Sequence, residues 1–136
     1  MSDRFQHFLD AQAPVMARVR EELRAGEKQS HWMWFVFPQI AGLGRSDMAR
    51  RFALASLEEA RAYAAHPVLG PLLVECTALV LAVEGRSIGE IFGTPDDLKF
   101  HSSMTLFARS SGDPVFRRAL DKYYGGEEDA ATLERI

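Results

Sequence analysis

The chain is poor in cysteine and carries no excess of basic residues, and each absence excludes a class of protein. Cys76 is the single cysteine among 136 residues, so no disulfide can form within the chain, which favours a reducing compartment and predicts a cytoplasmic location. Sixteen basic and 19 acidic side chains leave a net charge of -3. We therefore expect no non-specific binding to nucleic acid, which depends on excess lysine and arginine.

Long hydrophobic runs and metal-ligand spacings are also missing. The longest near-apolar run covers residues 76–83, far short of the roughly 18 residues that a membrane-spanning helix requires. The first ten residues are polar and lack the apolar core of a signal peptide. The four histidines are scattered along the chain without the spacing of a zinc or di-iron site. We expect no membrane partner, no metal and no cofactor.

What the chain does contain is a globular composition with helical periodicity. Hydrophobic residues make up 47% and charged residues 26% of the chain, and its length suits one domain that folds without disulfides or metal. Apolar side chains recur at three- and four-residue steps over residues 5–23 and 72–83, whereas no segment alternates with period two. The pattern predicts a single all-α domain over residues 1–136, an irregular bundle of six to eight short helices.

Start and stop residues divide this pattern into elements. Pro14 predicts a kink or break in the first amphipathic stripe, and Asp3 with Gln6 matches a capping box at its start. Further start signals are Ser46, Ser56 with Glu59, Ser87 with Glu90, and Thr94 with Pro95. The helix that includes residues 72–83 is the expected centre of the core. Residues 31–37 are compatible with either a helix or a short strand, because they are rich in aromatic and β-branched side chains.

An aromatic-rich segment, residues 28–46, is the first candidate site. Two tryptophans and two phenylalanines lie within positions 32–37, and such a surface is costly to expose to water. Aromatic walls with a few polar groups are what a small-molecule pocket requires. The alternative is that the aromatic side chains are core and that the polar residues cap turns. The candidate ligand-binding residues of this segment are Lys28, Ser30, Trp34 and Gln39.

His31 is the candidate catalytic residue of the same segment. Histidine side chains exchange protons near neutral pH, so His31 could act as a general acid or base on a bound ligand. The alternative is that it caps a turn or makes one structural hydrogen bond, as histidines beside tryptophans commonly do.

The second candidate segment, residues 97–107, brings a lysine and two serines together. At helical spacing Lys99, Ser102 and Ser103 share one face. A cation beside two hydroxyl groups is suited to binding a phosphate or a sugar. The alternative is a solvated face whose serine hydroxyls bond back to backbone carbonyls. Adjacent serines are nevertheless a poor choice for helix stability, so a ligand-binding role stays open beside this alternative.

Longer runs within both segments are similar to the signatures of a known family. They comprise Lys28 and residues 30–35, 37–39 and 42–44 in the first segment, and Lys99 with residues 102–107 in the second. Further matches are residues 66–70, Gly126, Asp129, Thr132 and Leu133. On these residues the whole chain resembles a mainly bacterial family catalogued as domain of unknown function 1810. The resemblance implies a mainly α-helical fold and no established activity.

Two functions are compatible with these segments. In the first, a small phosphorylated or nucleotide-like ligand binds, with or without catalysis, between residues 28–46 and 97–107. A tryptophan would stack on that ligand, the two lysines would meet its charge and His31 would transfer a proton. In the second, residues 31–37 form a flat patch for a protein partner or a homodimer. The mixture of polar and aromatic side chains favours the first function. Whether the protein is an enzyme is left open by the sequence.

Overall fold

Helices make up the regular structure of the molecule. The computed structural model describes residues 3–136, and within that range it has ten helices and no strand. They are α1 (Gln6–Gln12), α2 (Met16–Ala25), α3 (Met33–Val36), α4 (Asp47–Arg51), α5 (Leu57–Ala65), α6 (Leu69–Leu81), α7 (Ile88–Phe92), α8 (Asp96–Ser110), α9 (Val115–Tyr124) and α10 (Ala130–Leu133). The predicted all-α fold is confirmed. The helices outnumber the expected six to eight because four of them contain only four or five residues.

Most helix boundaries lie where the capping residues indicated. The turn around Pro14 separates α1 from α2, as expected from a residue without an amide hydrogen. The side chains of Ser46, Ser56 and Ser87 each accept a hydrogen bond from the amide three residues further on. Ser87 and Glu90 form a complete capping box, which satisfies two otherwise unpaired amides at the start of α7.

The predicted capping box at the start of α1 does not form. The carboxylate of Asp3 instead accepts a hydrogen bond from the Phe5 amide at 2.8 Å and lies 2.6 Å from His66 Nε2. Gln6 donates from its side chain to Asp10 within α1. Asp3 therefore ties the beginning of the described chain to the corner between α5 and α6 rather than capping its own helix.

The ambiguous segment 31–37 folds as one helical turn, α3. After this turn the backbone forms a single parallel bridge between Ile40 and Leu54. Leu54 N donates to Gln39 O at 2.9 Å, and Ala41 N donates to Leu54 O at 2.8 Å. The bridge fixes the loop that follows α3 against the segment that follows α4.

The centre of the bundle is α8, whereas the sequence predicted α6. α8 packs against α5, α7, α9 and α10, and α6 packs against α2, α5 and α9. Seven of the fifteen residues of α8 are buried, including the unbroken run 102–107. α6 is more apolar but leaves Leu72, Val74 and Leu79 partly exposed. Apolar content alone was misleading, because α8 also buries Ser102 and Thr105, whose hydroxyls bond to backbone carbonyls.

α5 and α6 meet at a sharp corner. Together they have the length and composition of a membrane-spanning segment, but the chain bends by 90° at their junction. No single helix within residues 3–136 is long and apolar enough to span a membrane. The corner is tight because Gly70 lies against the backbone of the preceding helix. A Cβ atom at this position would collide with the carbonyl oxygen of Ala64.

Candidate functional site

A cleft opens between the start of α8, the loop after α3 and the start of α10. Its volume is about 330 Å³, which is in the range of small-molecule sites. The residues that line it are Gln39, Leu43, Gly44, Pro95, Leu98, Lys99, Ser102, Asp129 and Ala131. The two segments that the sequence singled out therefore meet here, and a third segment, residues 129–131, completes the walls.

One carboxylate and two lysines lie at the α8 N-terminal end of the cleft. Asp96 Oδ2 is 2.9 Å from Lys28 Nζ, and Asp96 Oδ1 is 3.5 Å from Lys99 Nζ. The ammonium groups also contact indole rings, Lys28 at 5.1 Å from the Trp32 centroid and Lys99 at 5.2 Å from the Trp34 centroid. The side chain of Lys28 is 7% exposed and that of Lys99 24%. Two ammonium groups and one carboxylate leave this cluster with one excess positive charge. Lys99, the more exposed of the two lysines, presents that charge to the cleft.

A second polar cluster surrounds Asp129, which precedes α10 and contacts α8 at Ser102. Its Oδ2 atom accepts hydrogen bonds from Ser102 Oγ at 3.0 Å, from Thr132 Oγ1 at 2.6 Å and from Thr132 N at 3.1 Å. The Asp129 amide donates to Thr105 Oγ1 at 2.8 Å. Asp129 thus caps α10 and joins it to α8. No donor within residues 3–136 reaches Oδ1 of the same carboxylate.

The end of α9 anchors this third segment next to α8. Tyr124 donates from its hydroxyl to Asp97 O at 2.6 Å, and the His101 ring stacks on the Tyr124 ring with centroids 3.9 Å apart. Burial, followed by the neighbouring carboxylates, raises the pKa of Tyr124, so its hydroxyl stays protonated as a donor. His101 Nε2 donates to Glu127 O at 2.7 Å. These contacts position residues 127–131 beside the cleft.

Ser30 belongs to a different network, centred on the buried carboxylate of Glu22. That carboxylate accepts from Ser30 N at 3.0 Å and Ser30 Oγ at 2.6 Å. It also accepts from Gln29 N at 2.8 Å and Trp32 Nε1 at 2.9 Å. Burial alone would raise the pKa of Glu22, but the four donors outweigh it and lower the pKa to about 2. Ser30 therefore holds its own segment in place and does not line the cleft.

His31 and Ser103 also lie outside the cleft walls. The side chain of His31 is exposed and makes no hydrogen bond or ion pair with residues 3–136. Ser103 is fully buried, and within the described chain its Oγ has no hydrogen-bond partner. The two adjacent serines of α8 thus separate, with Ser102 at the cleft and Ser103 in the core. Of the predicted ligand-binding residues, Gln39, Lys99 and Ser102 line the cleft, and Trp34 and Lys28 support its cationic end.

Most of the aromatic segment 31–37 is core. Five of its seven side chains are at most 6% exposed, namely Trp32, Met33, Phe35, Val36 and Phe37. Trp34 is half-buried and only His31 is exposed. The segment accordingly presents no flat aromatic patch of the kind required for the alternative, protein-interaction function.

Comparison with known proteins identifies the family of this chain. The model of a family described as a protein of unknown function, DUF1810, matches residues 2–136. The chain belongs to the DUF1810 family. A crystal structure of a conserved hypothetical protein from Mycobacterium tuberculosis is similar, with a TM-score of 0.94 and 60% sequence identity over 96% of this chain and 94% of that one. No curated protein matches the chain.

Part of the cleft of this DUF1810 protein lies outside the residues predicted from the sequence. Asp96 and Asp129 were not among the candidate residues, although an aspartate three residues before Thr132 is a recognisable helix start. The apolar wall was also missed. Leu98 is 60% exposed, and a leucine between Asp97 and Lys99 in a first helical turn was the available signal. As for metals, no three ligating side chains converge within residues 3–136.

Proposed function

We propose that this DUF1810 protein binds a small molecule in the cleft between residues 39–44, 95–102 and 129–131. The observation that carries the proposal is the convergence, in one concavity, of Gln39, Lys99, Ser102 and Asp129. Together they offer an ammonium, an amide, a hydroxyl and a carboxylate. A few convergent polar groups over an apolar wall are the usual composition of a ligand site.

The polar groups are held in place before any ligand arrives. Lys99 is restrained by Asp96 and by the Trp34 ring, and Ser102 and Asp129 are joined by a hydrogen bond. Side chains that are already ordered lose less conformational entropy when they bind a ligand. We propose binding rather than catalysis, because His31 is not among the residues that line the cleft.

A thermal-shift screen tests this function. The panel contains nucleotides, ADP-ribose, sugar phosphates and free amino acids, each applied to the wild type and to Lys99→Ala and Gln39→Ala. A ligand at about 100 times its Kd adds about 2.7 kcal/mol of stability and raises Tm by several degrees. We expect at least one compound to stabilise the wild type and to lose that effect in both variants.

Arg118→Ala provides the matched control. Arg118 is an exposed cation on α9, a helix that contributes no lining residue to the cleft, so this variant should retain the full shift. A shift that survives in both Lys99→Ala and Gln39→Ala would place the ligand elsewhere on the protein. No shift with any compound in the panel would contradict the binding function itself.

A further inference from the structure

The cleft carries opposite charges at its two ends. Lys99 lies at one end, drawn towards Asp96 at 3.5 Å and the Trp34 ring at 5.2 Å. Asp129 lies at the other end, hydrogen-bonded to Ser102 at 3.0 Å. Within residues 3–136 these two charged groups form no salt bridge with each other.

Their own partners keep these charges from neutralising each other. Within residues 3–136 the ion pair of Lys99 is with Asp96, and Asp129 makes no salt bridge. All donors to Asp129 reach Oδ2, and none from the described residues reaches Oδ1. An ammonium and a carboxylate that face one cleft and are not paired with each other are complementary to a ligand that carries both signs.

A phosphate dianion matches this arrangement less well. Asp96 is already paired with Lys28 and Lys99, and Asp97 places a further negative charge at the N-terminus of α8, which would otherwise attract an anion. The amides of residues 97–99 already donate to backbone carbonyls of the preceding turn. The carboxylate of Asp129 adds a further negative charge to the cleft wall. Repulsion from these groups opposes the binding of a doubly charged anion.

The remaining wall of the cleft is apolar. It consists of Leu43, Pro95, Leu98 and Ala131, and Leu98 is 60% exposed. Covering apolar surface by a ligand removes it from water and stabilises the complex. A ligand with an apolar body therefore gains from this wall while its charged groups reach the two ends.

We propose, on the basis that the cleft is the binding site inferred above, that its ligand is a small zwitterion with an apolar body, of the α-amino-acid kind. The ligand carboxylate binds Lys99, its ammonium donates to Asp129 Oδ1, and its side chain packs on Leu98. In an α-amino acid the two charged groups lie about 3 Å apart, and with a hydrogen bond of about 2.9 Å at each end it spans about 9 Å. An α-amino acid can therefore bridge two charges that do not pair directly with each other.

Calorimetric titration with matched compounds tests the proposal. L-leucine and L-phenylalanine are each compared with the corresponding amine, which lacks the carboxylate, and the corresponding acid, which lacks the ammonium. We expect at least one amino acid to bind at least tenfold more tightly than either of its halves. Asp129→Asn should weaken binding of the amino acid and the amine but not the acid, and Lys99→Gln should weaken binding of the amino acid and the acid but not the amine.

Asp129→Asn is chosen because asparagine also caps helices well, and the Tm of each variant shows whether it is folded.

ADP-ribose and glucose 6-phosphate form the second arm of the titration. Binding of either, lost in Lys99→Gln, with no binding of the amino acids would overturn the zwitterion but preserve the binding function of the cleft. Equal affinity for an amino acid and its acid half would also overturn it. No binding by any compound would overturn both proposals.

Discussion

At the scale of single residues, Glu22 illustrates how a buried carboxylate organises a segment without contacting a ligand. Its four hydrogen-bond donors all belong to residues 29–32. Because Lys28 immediately precedes those residues, the same network helps to position the Lys28 ammonium 2.9 Å from Asp96. The carboxylate of Glu22 thus contributes indirectly to the charge balance at the cationic end of the cleft.

We predict that Glu22→Gln lowers the free energy of unfolding at pH 7 by about 3 kcal/mol, the value that corresponds to a lowering of the pKa from 4.5 to about 2. A lowered pKa stabilises the folded state above the ordinary value of 4.5. This stabilisation is lost as the pH falls from about 5 to about 2. Urea unfolding across that range should show the wild type approaching the variant at low pH.

Glu21→Gln is the control for that measurement, because Glu21 is the exposed neighbour of Glu22 on α2. It should change the free energy of unfolding by less than about 0.5 kcal/mol, as surface substitutions usually do. If Glu22→Gln were equally neutral at pH 7, the hydrogen-bond network would not stabilise the fold as described.

At the scale of elements, the corner between α5 and α6 depends on a residue without a side chain. We predict that Gly70→Ala lowers the free energy of unfolding by about 1–2 kcal/mol, because overpacking against the Ala64 carbonyl outweighs the better helix propensity of alanine. Thermal unfolding measures the change as a lower Tm.

Gly89→Ala is the control for Gly70→Ala. Gly89 also lies in a helix, α7, but a Cβ there would meet only Ser87 Oγ, at 3.9 Å. Alanine should therefore leave the Tm unchanged or raise it, because it restricts the unfolded chain. A Gly70→Ala protein as stable as Gly89→Ala would contradict the close packing of the two helices.

Local signals in the sequence explain which elements could be predicted. Caps such as Ser87 with Glu90, and the break at Pro14, act within a few residues, so they define boundaries without reference to the rest of the fold. The position of α8 at the centre of the bundle does not follow from such local signals. Ser102 and Thr105 are buried there because their hydroxyls bond the carbonyls of Leu98 and His101 one turn earlier, which offsets the cost of burying them.

At the scale of the whole molecule, the cleft could be predicted only in part. Gln39, Lys99 and Ser102 were identified as candidates because polar groups beside aromatic side chains are locally conspicuous. Asp129 joins them through packing between distant segments, including the ion pair of Arg109 with Glu128 at 2.6 Å. No local pattern encodes that proximity, so the presence of the Asp129 carboxylate in the cleft wall became apparent only in the folded structure.

The most direct test of the binding site is an NMR titration of the isotope-labelled protein with L-leucine, ADP-ribose and glucose 6-phosphate in turn. We predict that at least one of these compounds shifts the amide signals of the cleft, at residues 43–44, 98–102 and 129–131. Signals of α2 and α6, which contribute no lining residue, should stay in place. Shifts confined to α2 or α6, or no shift with any of the three compounds at millimolar concentration, would contradict a ligand site in this cleft.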